Sequence, residues 1–455
     1  RGIMEYLEEW TGIATFGQGL IALAFGASFV ALIAFLSGWK SVGRRAFYIH
    51  TFSTFAAIAL IFVLFGAHRY EFEYIWKHLN NEMPMRFIFS AFWGGQEGGF
   101  LLWMFWHNVL GMVLLLSDSK WHNPVMATLS AIELFLTSML LGVYFGNFQL
   151  GLDPFLLLRD APSNAGLPWT ARADYLTAFP MFQDGQGLNP LLQNYWMTIH
   201  PPTLFLGFAS TSIPFAYALA GLANRKDRSW MKPALRWSIF GIGILGTGIL
   251  MGGAWAYEAL SFGGFWAWDP VENSSLVPWL TLVAGAHLLL INRNRKKPMA
   301  LFSTYYFLLI SFLLVLYSTF LTKSGVLGDT SVHSFVDSGI LPQLLVYVLS
   351  FVGLAHFMLL DSKVWKATFV SIFAILLLLA LKGWVIESIG AFLGLLVVTS
   401  LKAYRSEFER TEEEDSVWGR EFWMFVGSLL FLVSAAHITW QTSLPVFNRF
   451  LEPLS

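Results

Sequence analysis

Apolar runs about as long as a bilayer crossing recur from one end of this 455-residue chain to the other, and they constrain its fold more than any other feature. A helix needs about 20 apolar residues to cross the hydrocarbon core, where the backbone must satisfy its own hydrogen bonds. The runs fall at about 14–37, 46–67, 98–117, 124–147, 200–222, 236–258, 274–292, 300–321, 341–360, 366–382, 386–402 and 421–441. They predict an all-α, polytopic integral membrane protein with about 12 transmembrane helices, read as a single membrane domain over residues 1–455. Composition agrees. Charged residues make up 13% and hydrophobic residues 56%, against a soluble norm of roughly 25% charged. Residues 1–10 are polar and no small-residue cleavage site follows the first run, so no cleavable signal peptide is expected.

Orientation follows from the basic residues, which are retained in the cytoplasm when they flank spans. Most of the 28 Lys and Arg residues lie inside if the N-terminus is outside, and they are densest at 225–236 and 293–297. The loops 68–97, 148–199, 259–273 and 322–340 are then external. Residues 406–415 read as a charged cytoplasmic connector.

One external loop carries the sharpest motif, GGFWAWDPVEN at 263–273. Trp266, Trp268 and Phe265, with Phe262 before them and Trp255, Tyr257 and Trp279 flanking, form an aromatic cluster that suits a flat amphipathic ligand better than a small ion. Interfacial aromatics are common in membrane proteins, but this density in one loop is not. Asp269, Pro270 and Glu272 fit a helix start: an N-cap, a proline in the first turn and a capping-box glutamate. That local role alone accounts for both carboxylates, so the aromatics are the better candidates for ligand contact.

The chain has no cysteine, which excludes thiol or disulfide chemistry of its own, and any thiol must come from a partner. Ten histidines remain as candidate metal or haem ligands. His200 opens the fifth span ahead of Pro201 and Pro202, and His333 lies in an external loop with Asp329 and Asp337. Both therefore face the aromatic loop's compartment. A single histidine at a helix end is usually structural; two on one face beside a tryptophan shelf are weightier. His287 sits about 16 Å into the seventh span, where an ionisable residue is a functional candidate by default. A hydrogen bond to a neighbouring helix is its bland alternative. His107, His356 and His437 lie within or at the edges of spans, while His50, His68, His78 and His122 lie near helix ends or in loops and attract no specific role.

These residues resemble the haem-handling proteins of cytochrome c maturation, most closely the CcmF family, the membrane subunit of the cytochrome c haem lyase. The resemblance covers nearly the whole chain. It rests on GGFWAWDPVEN with the following PWL, on NPLLQNYWMTIHPPTLFLGFAS at 189–210, on WGGQEGGFLLW at 93–103 and on STFLTKSGVLGDTSVHSF at 318–335. The wording FGGFWAWDPVENSSLVPWL and the long 148–199 loop are similar to the Bacteroidota branch of that family.

The resemblance implies a bacterial inner-membrane protein with a periplasmic active face. Its external haem would be held by His200 and His333 over Gly263, Gly264, Phe265, Trp266, Trp268, Asp269 and Glu272. A transmembrane haem b would take His287 as a ligand and carry electrons, with quinol a candidate donor. The second ligand of that haem is implied further toward the C-terminus than Ser455, so a C-terminal family region is expected to be absent here, and His437 is a poor substitute. The implied activity is a haem lyase without a side-chain nucleophile: thiols of a CxxCH motif in apocytochrome c add to the haem vinyl groups. Implied partners are apocytochrome c, a CcmE-type haem chaperone and a CcmH-type thiol-handling subunit, in membrane lipid, with no nucleic acid. Loops 68–97 and 148–199 are the expected docking surfaces. Two alternatives compete. A haem transporter or chaperone of the CcmC type shares the tryptophan loop but is shorter, and a polytopic solute transporter or respiratory subunit should show repeats or paired broken helices, which are not visible.

Overall fold

The computed structural model describes residues 6, 8–117, 119–146, 148–261, 263–293, 295, 297–328, 331, 335, 339–408 and 416–451. The elements are α1 (Thr11–Leu36), α2 (Lys40–Gly66), α3 (Glu73–His78), α4 (Ile88–Gly94), α5 (Gln96–Leu115), α6 (His122–Ser138), β1 (Val143–Phe145), β2 (Phe148–Leu150), α7 (Tyr175–Ala178), α8 (Trp196–Ala223), α9 (Met231–Ala259), α10 (Pro270–Asn292), α11 (Leu301–Lys323), α12 (Leu341–Leu359), α13 (Lys363–Leu381), α14 (Val385–Ser406) and α15 (Arg420–Leu451). Among the described residues 11 helices are long and apolar enough to cross a membrane: α1, α2, α5 and α8 to α15. The protein is a polytopic helical membrane protein.

The expected span at 124–147 is not among these 11; it appears as α6, a helix shorter than its apolar run. Its 17 residues end at Ser138. Gly142, at φ 59°, turns the chain into a hairpin in which Val143 pairs with Leu150. A positive φ of this kind costs least at glycine.

Two compact units divide the chain, Arg1–Ala209 with Thr247–Ala267 and Ser210–Gly246 with Trp268–Ser455. In the first unit, α1 packs on α2 and α6 through small buried residues such as Ala24, Ala27 and Ala31. Close backbone approach through small side chains is the usual means of helix association in lipid. The segments 68–97 and 148–199 are knitted into one layer. Backbone bonds join Glu73 to Leu156 and Leu158 to Glu71, and Asn81 N–H donates to Asp184. Leu158, Tyr175 and Phe182 form its core, with Trp76 and Trp169 packed against them. Arg159 donates to Glu9 at 2.9 Å and lies over the Tyr6 ring. This layer holds Glu71 against burial, which pushes its carboxyl above the usual range despite the Arg69 guanidinium at 2.6 Å.

In the second unit, α10 packs on α11 and α15, with Ala284, Leu288, Ile291 and Phe307 in one apolar cluster. Arg225 ties the loop after α8 to the end of α12 by donating to the carbonyls of Met358 and Leu359. A cation there satisfies orphan carbonyls at a helix C-terminus. Asn292 does the same for the turn between α10 and α11, donating to Leu288 O and Met299 O and accepting from Met299 N–H.

Candidate functional site

α8 begins four residues before His200, because Asn194 accepts from the Trp196 N–H at 2.8 Å and caps the helix there. Pro201 and Pro202 therefore lie past the first turn, and each removes a helical N–H rather than replacing an orphan one. His200 compensates by reaching sideways. Its Nδ1 donates to the Gly248 carbonyl of α9 at 2.8 Å. A carbonyl only accepts, so in the neutral ring Nε2 carries the lone pair. Anchoring one imidazole nitrogen to a backbone carbonyl is how proteins fix a ligating histidine.

Two glycines on α9 allow this approach. A Cβ at Gly248 would meet Leu204 Cα at 2.8 Å, and one at Gly252 would meet His200 Cε1 at 2.8 Å. The start of the tryptophan loop folds onto the same helix: the Phe265 carbonyl lies 3.0 Å from a Cβ at Gly253, and Phe265 stacks on Tyr257 at 4.4 Å and 4°. Both rings remain more than half exposed. Trp255 Nε1 donates to Leu191 O, fastening the end of α9 to the chain ahead of α8. Within the first unit, then, His200, Gly252 and Phe265 come together on α9, and Gly263 turns the loop at φ 70°.

Trp268 is 62% exposed and left-handed at φ 58°, an unusual conformation for a bulky side chain. Asn273 Nδ2 holds its carbonyl at 3.1 Å. The predicted capping box follows. Asp269 accepts from the Val271 N–H at 2.8 Å, and Glu272 accepts from the Asp269 N–H at 3.2 Å. Asp269 also accepts from the Ser331 hydroxyl at 2.8 Å. His333 itself lies outside the described residues, as do Phe262, Asp329 and Asp337.

His287 is partly buried in α10. Its Nδ1 donates to Val283 O at 2.8 Å, leaving Nε2 with the lone pair, and its ring lies 6.3 Å from that of Phe431 on α15. One anchored imidazole with its other nitrogen bearing a lone pair is the arrangement a ligating histidine would need. His437 on α15 is exposed, and buried His356 donates Nδ1 to Val352 O within α12.

A buried cluster that the sequence reading passed over lies in the first unit. His50, Glu133 and His107 are all fully buried. His50 Nδ1 lies 2.9 Å from Ala24 O, and its Nε2 2.6 Å from Glu133 Oε2. Since Ala24 O only accepts, Nδ1 must carry a hydrogen, and one proton is shared between His50 Nε2 and Glu133. Asn108 donates to the same carboxylate oxygen at 2.8 Å and accepts from Thr51. His107 Nδ1 stands 3.2 Å from Glu133 Oε1, off the line a hydrogen bond needs.

The WGGQEGG segment has a structural explanation. Tyr74 hydroxyl donates to Phe92 O at 2.5 Å and accepts from the Gly98 N–H at 3.1 Å, bridging the break between α4 and α5. A Cβ at Gly98 would lie 1.5 Å from Phe92 O, and one at Gly95 would strike Tyr74 and His78. The His78 ring lies 4.5 Å from that of Tyr74, tilted by 40°, and its Nδ1 donates to the Tyr74 carbonyl. Burial pushes the His78 imidazole down to about 4. Its folded pKa is thus below the unfolded value near 6.5, so the unfolded chain binds more protons between those limits. Stability should fall as pH drops from about 6.5 to about 4, and His78→Phe should flatten that slope in detergent melts.

A family model described as Cytochrome C assembly protein matches residues 93–327. The chain is 32% identical over 347 residues to the cytochrome c-type biogenesis protein CcmF of Haemophilus influenzae, covering 74% of this chain and 49% of that one. It is 32% identical over 346 residues to CcmF of Escherichia coli strain K12, with the same two coverages. Identity to NrfE of Haemophilus influenzae is 33% over 290 residues, covering 63% of this chain and 41% of NrfE. The chain spans about half the length of the curated relatives it matches. A solved structure described as Cytochrome c Heme Lyase CcmF superposes with a TM-score of 0.59 at 20% identity, covering 98% of this chain and 73% of that one, and shares its fold.

Proposed function

This chain belongs to the cytochrome c assembly protein family, and from that premise we propose that it serves as the membrane part of a cytochrome c haem lyase. The observation that carries the reading is His200: a histidine at the start of a span, with Nδ1 anchored on the Gly248 carbonyl and its ring against the α9 glycines that also support Phe265. Substrate haem would take His200 as one ligand and His333 as the other, as the family resemblance implies. The exposed, stacked rings of Phe265 and Tyr257 supply flat apolar area for its macrocycle. Asp269 and Glu272 act on the loop, through the cap, rather than on the ligand.

The chemistry needs no nucleophile from this chain, which has no cysteine. A CxxCH thiol of apocytochrome c adds across each vinyl group; a sulfur–carbon bond forms and the thiol hydrogen ends on the other vinyl carbon. The chain's residues orient the haem and hold the reacting groups close, which lowers the entropic part of the barrier. His287 would hold a resident haem b, which when bound supplies electron transfer. Anchoring its Nδ1 on Val283 O fixes the ring for that role. A periplasmic active face, a haem chaperone and a thiol-handling subunit as partners, and docking on the 68–97 and 148–199 layer belong to the same proposal.

Thioether formation on a reporter apocytochrome tests it. His200→Ala and His333→Ala should each reduce holocytochrome yield about 10²-fold, the scale of a misplaced reactant. Wild-type yield from both variants would rule out the ligand assignment.

A further inference from the structure

A cavity of about 560 Å³ opens in the second unit between the start of α9 and the end of α10. Five cationic side chains line it: Arg228, Lys232, Arg236, Arg293 and Arg295. No acidic side chain is among its lining residues. Lys232, Arg236 and Arg293 are exposed and make no ion pair with a described residue. Leu235 lies between the two cations of α9, and one helical turn beyond Arg236 along α9, and one turn back from Arg293 along α10, the lining turns apolar with Ile239 and Leu289. Lys232, Arg236 and Ile239 are spaced four and three residues apart, so they share one face of α9. That face runs from charged to apolar along the direction in which α9 enters its apolar run. Ile239 is 55% exposed and adjacent Phe240 40%, as expected of side chains that meet lipid.

We infer that this cavity binds the headgroup of an anionic glycerophospholipid, with the phosphate among Lys232, Arg236 and Arg293 and the first acyl methylenes against Leu235, Ile239 and Leu289. The cations of Lys232, Arg236 and Arg293, gathered around one hollow, repel one another, and an anion placed there relieves that repulsion. Basic hollows between spans at a membrane surface are suited to such headgroups. Free inorganic phosphate would satisfy the cations but has no use for the apolar wall. The loop charges assign this end of α9 and α10 to the cytoplasmic face, where basic residues at span ends are expected.

The test uses the full chain in phosphatidylcholine nanodiscs, with phosphatidylglycerol added in increasing proportion. Phosphatidylglycerol should raise the melting temperature, and native mass spectrometry should show one retained anionic lipid. The triple variant K232Q/R236Q/R293Q should weaken that retention at least about tenfold, and added salt should weaken it in the wild type. Single substitutions Lys232→Gln and Arg293→Gln, each of an exposed side chain, give intermediate losses and cover the case in which the triple variant fails to fold. Wild-type retention by the single and triple variants would overturn the assignment. So would inorganic phosphate displacing the lipid at equal concentration, which would mark a free-anion site instead.

Discussion

Replacing Glu133 with alanine should destabilise the protein by about 3–5 kcal/mol, the cost of breaking a buried pair while one partner stays in place. Glu133 is fully buried and lies 2.6 Å from His50 Nε2 and 2.8 Å from Asn108 Nδ2. Its removal leaves a cavity beside His50, which stays tethered to Ala24 O at Nδ1 and keeps only the 3.2 Å contact between its Nε2 and Asn108 Nδ2. Glu133→Gln should cost less than the alanine, about 1–3 kcal/mol, because the amide fills the space but its one atom at the shared position can either accept from Asn108 or donate to His50, not both. The two variants therefore separate the need for a hydrogen-bonding shape from the need for a charge. Reversible unfolding in mixed micelles reads the difference. Equal losses would mean that the shared proton matters more than the shape, and a loss below about 1 kcal/mol for the alanine variant would contradict the network's role in joining α1, α2, α5 and α6.

The second large effect is expected at Gly252. Any side chain there brings a Cβ to 2.8 Å from His200 Cε1, so Gly252→Leu must rotate His200 or push α8 from α9. Overpacking of this kind costs roughly 1–3 kcal/mol. The functional effect should be larger than the structural one. A ligand moved by about 1 Å loses about 10²-fold in rate, so holocytochrome yield should collapse while the protein still assembles. Gly243 lies on the same helix with nothing within 4 Å of its Cβ position, and Gly243→Leu should leave yield unchanged. Full yield from Gly252→Leu would show that the His200 position in this structure is not the productive one.

How much of this was legible in the sequence depended on the range of each interaction. The helix cap at Asp269 and Glu272 involves residues three apart, so the local pattern predicted it and the structure bears it out. The twelve apolar runs are a property of composition and window length, and among the described residues 11 of them appear as helices long and apolar enough to cross a membrane, while the run at 124–147 gives the shorter α6, followed by two glycine-bearing turns. His50 was passed over because the apolar run begins at about 46, which puts it near a helix end; α2 begins at Lys40, so His50 lies about 15 Å along the helix. Glu133 and His107 come from helices 83 and 57 residues away from His50 or nearer to one another only in space, and no spacing rule joins them. The anchor of His200 on Gly248, 48 residues on, was equally out of reach. WGGQEGG served as a family motif, whereas its glycines are required by the close packing of Tyr74, His78 and Phe92.

Haem titration of the purified chain, followed by Soret absorbance, is the most direct test of whether His200 ligates haem. The wild type should show two haem populations. His200→Ala should lose one of them and keep the other, and His287→Ala should do the reverse. A single population, or a His200→Ala spectrum indistinguishable from wild type, would contradict a haem-binding role for His200.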